Sequence, residues 1–462
     1  MRQIAVLVLG GIFFATLAAQ ANPDSISRMK RHVNTLTQPA WQGRATGVGA
    51  PLAAEWLVLR LDELGLEPAG DDGWFVSHQV PVDLKAKSTF QMGAKTLAPD
   101  HEFQVLGFSD DLEYSGDAVF VGYGISAAHL GHDSYQGIDP AGKVVLAFTG
   151  IPKGLELGVR DEHLASLESK AAVALAKGAR GIVFINDPRA HGDGADERED
   201  KLALPNVELP LKGIAALRIS ERVALEVFAD MGADLAAMQA EADSNSPSPL
   251  SVELRLTLQI ERSFAESQNI VAKIPGGRGP TLMLAAHYDG LSQARAGKDY
   301  TGADDNASGV AVVLELARRL SKDPIQNRDV YVVFHDAEEL GLYGSRRTAH
   351  WLKARGKEGK LLNLDMVGRL RESGLRFHGN AEECLQAQKS GKFTKVEIAC
   401  DQPAASPSDH WPYLRLGFEA VSLTTGRTVD YHQHTDRAEK LNFPGMLQVT
   451  GFAEHYLRAQ AD

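Results

Sequence analysis

Through the second half of the chain, short apolar runs that end in polar residues alternate with amphipathic stretches. QNIVAKIPG (268–276), TLMLAAHYDG (281–290), DVYVVFHDAEE (329–339) and KLLNLDMVG (360–368) have the first form. Between them, GVAVVLELARRL (309–320) sets Val313, Leu316, Ala317 and Leu320 on one side at helical spacing. Apolar strands alternating with amphipathic helices predict an α/β fold, a mixed, mostly parallel sheet with helices on both faces. Near the start, AAEWLVLRLDELGL (53–66) predicts a further helix, with Gly65 as its stop signal.

The pattern differs from about Val80 to Leu258. Short β-like runs dominate there: DAVFVGYGI (117–125), KVVLAF (143–148) and GIVFIND (181–187). The helical candidate ESKAAVALAKGA (168–179) separates the last two, so this region predicts a small α/β unit of its own. EADSNSPSPLS (241–251) has the composition of a linker leading back out of it.

The first residues read as a leader. Arg2 supplies a positive end, Ile4–Leu17 is apolar, and Ala19, Gln20 and Ala21 form a small-x-small cleavage site. This predicts a signal peptide over 1–21, with export to the periplasm or the medium and no membrane anchor. A length of 462 residues predicts two domains, or one with a large insert. Acids outnumber bases by 60 to 48, a net charge of −12, which argues against nonspecific binding to nucleic acid or anionic membranes. Cys384 and Cys400 have two readings, one disulfide in an oxidising compartment or two unpaired thiols. The sequence fixes no oligomeric state.

Three clusters directly follow predicted strands: His287 with Asp289, Glu338 with Glu339, and Asp365. Strand ends in open α/β sheets converge on one crevice, so residues far apart in sequence can share a site. His287 and Asp289 are two apart and point to the same face of an extended strand, where Asp289 can hold the imidazole. GADDNASG (302–309) reads as a tight loop before a helix and offers Asp304, Asp305 and Asn306. Adjacent carboxylates at 338 and 339 suit a cation, with one binding it and the other free to move protons. DYHQHTDRAEKL (430–441) adds His432 or His434. Two imidazoles and three carboxylates form an N/O donor set that suits a pair of zinc ions with a shared water.

In this order and spacing, HYD, GADDNASG, EELGLYGS, NLDMVG, SDHWPYL (408–414) and DYHQHTD resemble the co-catalytic di-zinc aminopeptidases of metallopeptidase family 28. WQGRATGVGAPLAAEWL (41–57) is similar to that family's opening segment. FVGYGI, DPAGKVVLAF and KGARGIVFIND resemble the β-rich protease-associated (PA) domain that some members carry as an insert. The resemblance implies a peptidase domain formed by 22–84 and 261–462, with the zinc exopeptidase fold, and a PA-like insert over 85–260.

The same resemblance implies roles. Asp305 would bridge two Zn2+ per chain, and the peptide bond after it is often cis. His287 and Asp365 would complete one zinc, Glu339 and His432 the other. His432 is chosen because the family's ligand follows Tyr and lies four residues before an Asp, here Tyr431 and Asp436. Glu338 would be the general base, Asp289 the partner of His287, and Tyr431 a residue that polarises the scissile carbonyl. Asp409 and His410 would have a supporting role. The implied activity is hydrolysis of N-terminal residues from peptides with a free N-terminus, through a metal-bridging water. Alternatives on the same scaffold are a dipeptidase, a carboxypeptidase, for which Arg369 and Arg427 could hold a terminal carboxylate, and a glutaminyl cyclase. A non-catalytic receptor or binding module is the alternative from another class.

Overall fold

The structure is a computed structural model that describes residues 23–157, 161–187, 211–245, 247, 250–291, 299–371, 374–389, 397–401 and 407–460. The leader-like stretch 1–21 lies outside them. No helix among the described residues is long and apolar enough to cross a membrane.

The predicted strands of the second half form the centre of one sheet. Thr281–His287, Arg328–His335, Gly359–Leu364 and Glu419–Thr424 run parallel to one another. Leu375–His378 is antiparallel to Glu419–Thr424, and Ser251–Arg278 is antiparallel to Arg328–His335, so the sheet is mixed but mostly parallel here. Side chains alternate between two buried faces. Leu282, Leu284, Ala286, Val330, Val332 and Phe334 join one core with the helices Pro23–Leu36, Ala50–Glu63, Gly309–Lys322 and Phe443–Ala459. Met283, Ala285, Tyr331 and Val333 join another with Tyr343–Ala354 and His410–Arg415. Both faces are dry, which is why these runs are continuously apolar rather than alternating.

The middle of the chain has a separate core. Leu112–Phe120, Val144–Phe148, Gly181–Ile185 and Ala215–Ile219 lie parallel in that order. The helices Leu167–Ala176, Glu221–Asp230 and Leu235–Asp243 accompany them, and Phe120, Leu146, Val183, Leu217 and Phe228 are among the buried side chains. Two long strands, Phe75–Met92 and Ser251–Arg278, pair antiparallel and connect the two parts, with a register shift at Ser263/Phe264. Positions 84/85 and 260/261 therefore lie inside this ribbon. The run QNIVAKIPG (268–276) is only the last part of it, because the earlier part alternates buried apolar with exposed polar residues. The stretch 241–251 begins inside the helix Leu235–Asp243. Cys384 and Cys400 are disulfide-bonded, joining the helix Ala381–Lys389 to the strand Ile398–Asp401.

Arg44 links the N-terminal segment to the sheet. It is fully buried, and its guanidinium donates to the carbonyls of Leu36 (2.9 Å), Tyr288 (2.8 Å), Thr301 (2.8 Å) and Gly302 (2.9 Å). Tyr288 follows His287, and Gly302 opens the loop that carries Asp305. Truncation would leave several buried carbonyls unpaired, at about 1–3 kcal/mol each. Arg44→Ala is therefore expected to lower unfolding stability by at least about 3 kcal/mol in urea titrations. A loss below about 1 kcal/mol would show that water replaces the network easily.

Candidate metal centre

The four parallel strands direct their carboxyl ends to one place. His287 is the last residue of its strand, Asp336–Glu339 follow His335, Asp365 follows Leu364, and residues 425–436 follow Thr424. At this edge, two groups of donor atoms form. One is His287, Asp305 and Asp365; the other is Asp305, Glu339 and His432. Within each, the donor atoms lie within 4.8 Å of one another.

Asp305 belongs to both groups through different oxygens. Its Oδ1 is 3.3 Å from His287 Nε2, and its Oδ2 is 3.3 Å from His432 Nε2. His287 Nε2 is also 3.3 Å from Asp365 Oδ1, and His432 Nε2 is 3.2 Å from Glu339 Oε2. Zinc bonds of about 2.0–2.1 Å in a tetrahedron place neighbouring donors about 3.3–3.4 Å apart. The observed separations match that edge. A single N–H shared between two oxygens makes only a weak bifurcated bond, so a proton satisfies each trio poorly. Glu339 Oε1 is buried without a hydrogen-bond partner among the described residues. The imidazole and carboxylate donors thus fit two divalent ions sharing one carboxylate.

The neighbouring acids separate at this point. Asp304 turns into the fold, where its Oδ1 accepts from the Gly368 N–H (2.8 Å) and from the Ser308 hydroxyl (3.3 Å). Asp305 faces the centre, and the Asp305–Asn306 peptide bond is cis. Gly302, at φ +54°, lets the loop close, since a Cβ there would stand 2.2 Å from the Asp305 carbonyl oxygen. The glutamates diverge in the same way. Glu339 approaches His432, whereas Glu338 lines the cavity beside the centre together with Asp305, Asp365 and His432.

Several side chains hold these groups in place. Asp289 is fully buried; its Oδ1 lies 3.4 Å from His287 Nδ1, and its two oxygens accept from the backbone N–H groups of Glu338 and Glu339, each at 3.2 Å. One carboxylate therefore sets the imidazole and both glutamates. The Ser408 hydroxyl donates to Asp365 Oδ2 at 2.6 Å. Asp436 accepts from the N–H of Asp304 (2.9 Å) and of Asp305 (3.1 Å). Ala337, Leu342, Met366 and His432 all have left-handed backbone angles near the centre, a local strain of about 1–3 kcal/mol each that the surrounding bonds must offset.

Charge crowding shifts the site's ionisations. Burial raises Glu338 well above the ordinary carboxylate range, and the nearby Asp365, Glu339 and Asp409 add to this against the pull of His287. Glu339 is pushed up to about 7 by burial and by Asp305, with His432 opposing. Burial alone would lower His432, but its contacts with Asp305 and Glu339 carry it to about 9. His287 likewise ends well above its usual value despite burial, because Glu338, Asp289, Asp305 and Asp365 surround it. Divalent cations would relieve this repulsion.

The ring of Tyr431 stacks on the His432 imidazole, centroids 3.8 Å apart. His434 belongs to neither donor group; its carbonyl accepts from Arg437 Nε at 2.8 Å. Arg369 is buried against Asp430 (3.1 Å) and Asp436 (3.5 Å), so it is committed to the fold rather than to a ligand. Asp409 lies 3.0 Å from His335 Nδ1, whose Nε2 is 3.0 Å from the Tyr413 hydroxyl, in a fully buried row behind the centre. His410 is buried beside it in sequence. Sequence reasoning missed Arg44, His335, Ser408 and the hydrogen-bonding role of Asp436. His335 had a signal in its place directly before the acidic run, and Ser408 and Arg44 lay within the quoted motifs SDHWPYL and WQGRATGVGAPLAAEWL without being singled out.

A mixed sheet with a His/Asp/Glu cage at its carboxyl edge has the zinc-exopeptidase type of α/β fold. Residues 269–456 match the family model described as peptidase family M28. A probable leucine aminopeptidase of Trichophyton verrucosum is 32% identical over 206 residues, which cover 40% of this chain and 54% of that protein. The chain thus spans about half the length of the curated relatives it matches. Among solved structures, an aminopeptidase from Aneurinibacillus sp. strain AM-1 aligns over 94% of this chain and 93% of its own, with TM-score 0.58 and 20% identity. A zinc aminopeptidase from Bacillus subtilis aligns over 93% and 94%, with TM-score 0.50 and 19% identity. These likenesses establish a shared fold along nearly the whole chain.

Proposed function

We propose that this protein is a zinc-dependent aminopeptidase that removes N-terminal residues from peptides. The observation that carries this reading is the two-sided Asp305, with a donor group on each oxygen and Glu338 beside them in an open cavity. His287 and Asp365 would hold one zinc, Glu339 and His432 the other, and Asp305 both. When bound, the two ions would polarise the scissile carbonyl and make a shared water acidic near neutral pH.

The chain's residues supply the rest. Glu338 accepts the proton of the attacking water and passes it to the departing amine. Asp289 keeps the His287 ring and the backbone of both glutamates in register. Tyr431 presents its hydroxyl from a ring braced on His432 and assists at the carbonyl oxygen. The acidic surroundings favour a free α-ammonium and so restrict cleavage to chain ends.

Residues 85–260 form the PA-like insert in this reading, supported by the separate core of that region. The leader-like stretch 1–21 and the Cys384–Cys400 disulfide support export to an oxidising compartment. The test is metal content together with hydrolysis of leucyl-p-nitroanilide and its N-acetylated form, before and after chelation. About two zinc per chain, chelator-sensitive cleavage and an inert N-acetyl substrate are expected. Equal cleavage of both substrates, or turnover by metal-free protein, would overturn the assignment.

A further inference from the structure

The cavity beside the candidate metal centre has a volume of about 360 Å³, enough for one residue of a bound peptide. Met366, Pro407 and Tyr431 are apolar patches in its lining, but the wall away from the centre is polar and charged. It includes Arg376, His378, Asp401, Ser422, Thr424 and Arg427. Arg376 Nη1 donates to Asp401 Oδ2 at 2.9 Å, and His378 Nε2 lies 3.4 Å from that same oxygen. Asp401 is thus engaged by two neighbours.

Arg427 makes no ion pair among the described residues. Its guanidinium lies 4.7 Å from the centroid of the Tyr431 ring, which in turn stacks on His432. The Tyr431 ring thus borders both the Arg427 guanidinium and the His432 imidazole. A cation–π contact of this kind favours one place for the guanidinium without using its N–H groups in an ion pair.

We propose that this cavity is a carboxylate subsite, with Arg427 as the residue that selects an anionic group; the inference rests on the aminopeptidase reading. Two divalent cations would offset most of the charge of Asp305, Glu338, Glu339 and Asp365; the acidity left beside the centre would meet the α-ammonium, and the wall away from the centre would meet the anionic group. In the rest of the wall Arg376 and Arg427 outweigh Asp401. A leucine side chain placed there would strip water from these charged groups without replacing their hydrogen bonds. A carboxylate supplies charge-assisted bonds to a guanidinium instead.

The carboxylate has two possible sources, the side chain of an acidic N-terminal residue and the C-terminus of a dipeptide. Zinc-loaded protein is assayed with glutamyl- and leucyl-p-nitroanilide for the first, and with Leu-Gly and its C-terminal amide for the second. The carboxylate member of at least one pair is expected to have a kcat/KM roughly tenfold or more above its partner. Arg427→Ala should lower that ratio roughly ten- to a hundredfold, and Arg427→Lys should restore part of it. Arg427 is exposed, so folding is not at stake; an unchanged Tm checks this. As a readout independent of turnover, free glutamate should bind the Glu338→Gln variant more tightly than free leucine if the side chain is the source.

Preference in the anilide pair assigns the subsite to the N-terminal side chain, and preference in the dipeptide pair assigns it to the C-terminus. Cleavage without preference in either pair, or a preference that survives Arg427→Ala, overturns the carboxylate subsite and leaves the aminopeptidase standing. Failure to cleave any of the four substrates overturns both.

Discussion

Glu338→Gln is expected to retain two zinc ions per chain and to lose roughly 10²–10⁴-fold in kcat, the range that a positioned general base contributes. The substitution keeps the size of the side chain, and the backbone N–H of Glu338 still donates to Asp289, so the loop should not shift. The amide cannot accept a proton at neutral pH. Glu338 stands in neither donor group, so metal content should stay the same. The loss corresponds to about 3–5 kcal/mol of barrier. It should appear in kcat rather than in KM, because the step removed is proton transfer and not substrate binding. A variant with normal turnover, measured with its zinc content, would remove Glu338 from the mechanism.

Asp305→Asn should have a different and larger effect. One carboxylate serves both donor groups through its two oxygens. An amide has only one oxygen to offer, and its NH2 end faces a nitrogen donor or a cation unfavourably. At least one zinc should be lost and the other held weakly, so metal content should fall to one per chain or less, with turnover below that of Glu338→Gln. The side chain is nearly buried, and Asp436 holds its backbone N–H at 3.1 Å. The loop can therefore keep its place, and the defect should lie in metal binding rather than in folding. Titration of the chelated protein with zinc, read by calorimetry, separates these possibilities. Two ions bound with unchanged affinity would show that Asp305 does not bridge.

Together the variants distinguish proton transfer from metal assembly. They also bear on the paired glutamates at 338 and 339. Adjacent carboxylates repel, and here they are kept apart by direction. Glu339 turns toward His432 and Glu338 toward the cavity, while the Asp289 carboxylate receives the backbone N–H of both. Asp289 thus couples the strand ending in His287 to the strand ending in His335, neighbours in the sheet at register His287↔His335.

Much of the half that carries the candidate metal centre was legible in the sequence because burial on both faces of a sheet demands uninterrupted apolar runs. The strands Thr281–His287, Arg328–His335 and Gly359–Leu364 each appear as such a run, and the abrupt change to His, Asp or Glu marks where the strand leaves the core. The helix Gly309–Lys322 was legible from its 3.6-residue spacing for the same reason. The ribbon Phe75–Met92 with Ser251–Arg278 was read only at QNIVAKIPG (268–276). The alternation of SVELRLTL, with Val252, Leu254, Leu256 and Leu258 buried between exposed neighbours, was a strand signal that went unread because it is not an uninterrupted apolar run. The role of Arg44 was not legible either, although the quoted segment 41–57 contains it. Its partners are backbone carbonyls of residues up to 258 positions away, and a carbonyl has no sequence signature.

The sequence by itself determined which side chains could bind a cation and which apolar runs would carry them, since donor chemistry and hydrophobic periodicity are properties of residues and their spacing. The resemblance had singled out Asp305 and His432; the tertiary structure supplied the geometry, with Asp304 bonded inward, Asp305 facing two imidazoles and His432 meeting Glu339, and it alone decided that Arg369 is spent on Asp430 while Arg427 borders the cavity. Those choices depend on the direction of each side chain after strands distant in sequence have paired. Neighbours of identical chemistry differ there by a rotation of the backbone, which residue type alone does not record.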